Sequence, residues 1–97
     1  MNARETAERH AQDVVDGNLA RLMGDFSGSV LTDLMNSGGM PPNPTTKWEI
    51  LSEDADGDDV RFRVRYSNDT EELLLRTTWS QSGTGEWKVV RAEPVTG

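Results

Sequence analysis

Residues 60–66 read Val60-Arg61-Phe62-Arg63-Val64-Arg65-Tyr66. Apolar and arginine side chains alternate without a break. Successive side chains of an extended chain point to opposite faces, so this run is a strand with one apolar and one cationic face. Upstream, residues 47–54 form a second strand, separated from the first by an Asp56-Gly57 turn. Downstream, Ser67-Asn68-Asp69 turns the chain into a strand at 71–80, and Ser82-Gly83-Thr84-Gly85 turns it into another at 87–94. Leu73, Leu75 and Trp79 oppose Leu74, Arg76 and Thr78; Trp87 and Val89 oppose Lys88, Val90 and Ala92. Every connection is short, which predicts a four-stranded antiparallel meander.

A sheet with one apolar face needs a cover. Residues 3–16 supply it: Ala3, Ala7, Ala11, Val14 and Val15 recur at helical spacing, and small side chains permit close approach. Arg4, Glu5, Glu8, Arg9 and Asp13 fall elsewhere, on a face that can be solvated, with Glu5 and Arg9 as an i,i+4 pair. Gly17 stops this helix, Asn18 caps a short second one, and a third ends near Met35. The run Asn36-Ser37-Gly38-Gly39-Met40-Pro41-Pro42-Asn43-Pro44 is a connecting loop. The predicted architecture is α+β, N-terminal helices followed by a meander.

The 97 residues suffice for one domain with a small core. No cysteine is present, which removes disulfides, thiolate metal sites and cysteine nucleophiles and fits a reducing cytoplasm. The charged first twenty residues are no signal peptide, no stretch is long and apolar enough to span a membrane, and a cytoplasmic location is expected. The net charge of −7 argues against nucleic acid and anionic membranes as partners. That charge is uneven: residues 1–59 carry four basic and twelve acidic side chains, residues 60–97 six and five.

The run Gly17-Asn18-Leu19-Ala20-Arg21-Leu22-Met23-Gly24-Asp25-Phe26 after an N-terminal helix, with a terminal Trp87-Lys88-Val89-Val90 strand, resembles the nuclear transport factor 2-like superfamily. That superfamily includes ketosteroid isomerases, scytalone dehydratases and SnoaL-like cyclases. The resemblance implies a cone-like, cystatin-like α+β roll: a curved sheet closed by the long helix, often dimeric through the outer sheet face. Catalytic members carry an acid into the cone after the third helix. Here residues 32–39 occupy that place, and Asp33 is their one carboxylate.

Isomerase-type chemistry needs a carboxylate base and a donor at the developing enolate. Tyr66 is the candidate donor and Asp25 or Asp33 the candidate base; alternatively Tyr66 caps the core edge with its hydroxyl in water and both aspartates are solvated. His10, the single histidine, would need to point into the cone beside an acid for a dehydratase-like role, and otherwise lies at the surface or its boundary. Trp48, Phe62, Tyr66, Trp79 and Trp87 are candidates to line a pocket for a small apolar ligand, or simply to fill the core. The acids of residues 53–59 lack the spacing of a calcium loop, and no metal or cofactor is expected. Arg61, Arg63, Arg65, Arg76 and Lys88 share the outer sheet face with Leu74 and Val90. Either they contact an acidic partner or a second subunit, or they pair with cross-strand acids such as Glu49 and Glu72. A non-enzymatic dimerisation or ligand-binding module is the leading expectation. An isomerase, cyclase or dehydratase is one alternative, and an accessory domain recruiting a partner through the basic face is another.

Overall fold

A computed structural model describes residues 2–95. Three helices, α1 (Ala3–Asp16), α2 (Leu19–Asp25) and α3 (Val30–Asn36), precede four strands, β1 (Lys47–Asp56), β2 (Asp59–Ser67), β3 (Glu72–Gln81) and β4 (Trp87–Pro94). The strands pair antiparallel in the order β1-β2-β3-β4, the meander expected from the short turns.

Helix α1 begins at a capping box: the Asn2 side chain accepts from the Glu5 amide, and the Glu5 carboxylate accepts from the Asn2 amide. It ends at Gly17, whose φ of 73° is the left-handed conformation that glycine adopts without strain. Ala3, Ala7 and Ala11 are 6%, 3% and 0% exposed, so the alanine stripe lies in the core. Beneath it sit Phe62, Val64 and Tyr66 of β2, Leu75 and Trp79 of β3, and Val89 of β4. Fully burying one such large side chain contributes about 1.5–3 kcal/mol, so these few residues carry much of a small fold.

Two bulges break the alternation. One lies between Ile50 and Ser52 in β1, the other opposite Thr78/Trp79 in β4. The second corrects the face expected for Ala92. Val89 pairs with Trp79 but Arg91 with Thr78, which leaves Val90 as the extra residue. One extra residue flips every side chain beyond it. Ala92 therefore faces Thr77 and packs against the core, while Val90 stays 40% exposed on the outer face.

The sheet's two edges differ. Phe26 forms a parallel bridge to Val89, and the Ser27 amide donates to the Val89 carbonyl at 2.9 Å, so the segment after α2 covers part of the β4 edge. The outer edge of β1 meets no strand among the described residues. No helix among them is long and apolar enough to cross a membrane.

Candidate functional site

Among the described residues, a buried ionic cluster lies where α1, α2 and β4 meet. Asp25 ends α2 and is only 7% exposed; Asp13 (4%) and His10 (5%) face it from α1. The Arg9 guanidinium grips Asp25 through two bonds, Nη1 to Oδ2 at 2.9 Å and Nη2 to Oδ1 at 2.8 Å. The same Nη1 reaches Asp13 Oδ2 at 2.9 Å. His10 Nδ1 lies 2.7 Å from Asp25 Oδ2. Arg21 Nε approaches Asp13 Oδ2 at 3.6 Å, and Lys88 Nζ donates to the Gly24 carbonyl.

Burial by itself would push the Asp25 carboxyl up, but the hydrogen bonds from His10 and Arg9 outweigh it and hold the group below the ordinary carboxylate value. Asp25 is thus a carboxylate that can only accept, so His10 Nδ1 carries the proton between them. The bond to Asp25 raises the Arg9 pKa above its already high ordinary value, and Arg9 stays charged.

These positions correct three expectations. Asp25 is buried rather than solvated. His10 is buried rather than at the surface, with its ring edge-on to Trp79 (centroids 5.3 Å apart) and to Phe26 (5.6 Å). Arg9 and Asp13 belong to the cluster rather than to a solvated face, because Arg9 turns to Asp13 and Asp25 while Glu5 serves the cap. Residues 9, 10 and 13 share one side of a helix, a spacing visible in the sequence. Their common partner, Asp25, becomes a neighbour only when α2 folds back.

The isomerase-type constellation does not form. Tyr66 is 2% exposed, and burial pushes its phenol well above the ordinary value, so it stays protonated. No hydrogen bond joins it to Asp25 or Asp33 among the described residues. Tyr66 pairs across the strands with Trp48 and Leu73, whereas Trp79, which touches His10, pairs with Val60. Six residues of β2, about 20 Å of strand, separate the two positions. Asp33 is exposed, and its carboxylate accepts from Ser29 Oγ at 3.3 Å.

The five aromatic candidates divide. Phe62, Tyr66 and Trp79 are 0%, 2% and 1% exposed and fill the core, with Trp79 Nε1 donating to Thr77 Oγ1 at 3.2 Å. Trp48 and Trp87 are half-buried and rim two surface hollows. The first, about 520 Å³, lies between Gln12 and Val15 of α1 and residues 46–49, where Trp48 Nε1 donates to Gln12 Oε1 at 3.0 Å. The second, about 320 Å³, is bordered by Thr6, Arg9, Asp25 and Trp87. A third, about 240 Å³, opens on the outer face between Arg61, Arg76, Thr78 and Arg91. None of the three is lined by Phe62, Tyr66 or Trp79.

On the outer face the arginines find acids of their own chain. Arg65 pairs with Glu49, Arg61 with Asp56 at 3.3 Å, and Arg76 with Glu93 at 2.9 Å. Glu72 is exposed and takes part in no ion pair among the described residues. No group of three or more histidines, aspartates or glutamates there could hold a metal ion. No family model, curated protein or solved structure matches the chain.

Proposed function

We propose that this chain is a non-catalytic self-association module with a nuclear transport factor 2-like build. The observation that carries the reading is the packing of the inner face. Phe62, Tyr66, Trp79 and Val89, at 0–2% exposure, occupy the space beneath α1 in which a catalytic relative would hold substrate. What remains for function is the periphery of the sheet. The order of helices and then meander, with an alanine-striped helix over the sheet, supports the family resemblance. The arginine–acid pairs of the outer face favour self-association over capture of an acidic partner, because they leave that face a near-neutral mosaic. Sedimentation velocity across the micromolar range tests the reading. Twice the chain mass is expected, and one chain mass at every concentration overturns it.

One observation favours a second reading, proton transfer by His10 with Asp25 as its orienting carboxylate: the 2.7 Å contact between them. Diethyl pyrocarbonate separates the two. A histidine sealed between Phe26 and Trp79 resists modification in the folded protein, and fast modification would favour the catalytic pair.

A further inference from the structure

We propose that two copies of this chain pair antiparallel along β1, about a two-fold axis between Ile50 and Leu51, and so join their sheets into one. The inference rests on the self-association reading and names its interface. An edge strand presents a row of unpaired N–H and C=O groups that can template another strand. Of the two edges, part of that of β4 is covered by residues 26 and 27, while β1 is open along ten residues.

Charged side chains and bulges often blunt such an edge. Here most of the charges are already spoken for within the chain: Glu53 by Arg4 at 3.3 Å, Asp56 by Arg61 at 3.3 Å, Glu49 by Arg65. Lys47 and Asp54 are the β1 charges that make no ion pair among the described residues. They have opposite signs and stand near opposite ends of the strand.

The two-fold pairing that sets Lys47 against Asp54 of the second copy necessarily sets Asp54 against the second copy's Lys47. It also sets Trp48 against Glu53, Glu49 against Ser52 and Ile50 against Leu51. Facing residues of an antiparallel pair must share a face. Residues 47 and 54 are an odd number apart, so on a regular strand they would point to opposite faces. The bulge at Leu51 corrects the phase. Through their β2 partners, Glu49 (Arg65) and Asp54 (Arg61) lie on the arginine face, and Trp48 (Tyr66) and Glu53 (Phe62) on the core face. The irregularity that would otherwise guard the edge therefore makes it self-complementary.

Eight facing pairs give about eight backbone hydrogen bonds, within the roughly ten of an ordinary interface. Leu51, 42% exposed, stands at the axis. The hollow of Gln12, Val15 and Trp48 flanks the first half of the strand, beside residues 53–56 of the second copy.

Charge swapping tests the register. Lys47→Glu places acid against acid twice per dimer, and Asp54→Lys places lysine against lysine twice. Each variant alone is expected to dimerise roughly tenfold more weakly, since facing like charges oppose pairing about as much as opposite charges favour it. An equimolar mixture of the two variants, and the double variant Lys47→Glu/Asp54→Lys, restore both contacts and are expected to return to wild-type affinity. Circular dichroism checks that each single variant keeps its fold, and amide exchange of residues 47–54 is expected to slow as protein concentration rises. A wild-type dimer indifferent to both single variants, with those amides unprotected, overturns the β1 interface and leaves self-association standing. A wild-type monomer overturns both.

Discussion

The α1–α2 junction and the outer face of the sheet both depend on arginine–carboxylate pairs, in opposite surroundings. At the junction, Asp25 and Asp13 have side chains only 10% and 6% exposed, and one guanidinium serves both. On the outer face, Arg65 and Glu49 are 41% and 57% exposed and Arg76 and Glu93 38% and 40%. Water screens the second set and can replace either partner. At the junction the two carboxylates are largely closed off from water, so they depend on Arg9 and His10. Similar chemistry therefore acts as a fastener in one place and as a solubilising mosaic in the other. Helix α2 shows the dependence: Asp25 is its one buried residue, while Leu19 and Met23 are 69% and 64% exposed. Its attachment is ionic more than apolar.

The most severe way to break this contrast is Asp25→Ala. It leaves Arg9 and His10 facing a site without its carboxylate. Losing one partner of a buried pair costs about 3–5 kcal/mol, a large share of the stability of a small domain. The midpoint of urea unfolding measures it, and a loss under about 1 kcal/mol would place the junction with the outer face.

Acid should act on the same group more gradually. The Asp25 carboxyl is held below its ordinary value in the folded state, so the unfolded chain takes up the proton first as pH falls. The stabilisation is whole well above the ordinary carboxylate value of about 3.9 and drains away as pH drops through the folded value. Unfolding midpoints between pH 6 and pH 3 should fall more steeply for the wild type than for Asp25→Asn, which has no such carboxyl to titrate. Equal slopes would remove Asp25 from the account.

A change at neither region sharpens the comparison by giving the scale of plain packing. Gly39 is buried, and a Cβ there would overlap the side chain of Leu34, itself 3% exposed, and come within 3.3 Å of Pro94. Gly39→Ala is expected to cost about 1–3 kcal/mol through overpacking, read from the same unfolding curves.

The smallest effect is expected on the outer face. Arg65→Ala, Glu49→Ala and their double variant should give a coupling within about 0–1 kcal/mol, reduced further by salt. A coupling above about 2 kcal/mol at moderate salt would mean that this face is desolvated, as in a face-to-face dimer.

The alternation of residues 60–66, the turns at Asp56-Gly57 and Ser82–Gly85, and the alanine stripe of α1 determined the meander and its cover. Each is a local signal whose period alone decides which side is apolar. The arginine row of the outer face and its partner Glu49 were readable for the same reason, because cross-strand neighbours follow from the register. Three things were not. The bulge that turns Ala92 inward depends on how β4 settles against β3 and has no glycine or proline to mark it. The burial of His10 and Asp25 depends on α2 folding back across α1, which brings together residues fifteen apart that the helix period treats as unrelated. The filled core depends on three-dimensional volume: in the sequence, large aromatics are open to both readings, pocket lining and packing, with packing the commoner. Only the fold shows Phe62, Tyr66 and Trp79 closed over by α1, with Trp48 and Trp87 left at the rim. Sequence thus fixes what each segment tends to become, through interactions a few residues long. Tertiary structure decides which polar groups leave water, because desolvation is set by neighbours the chain meets only once folded.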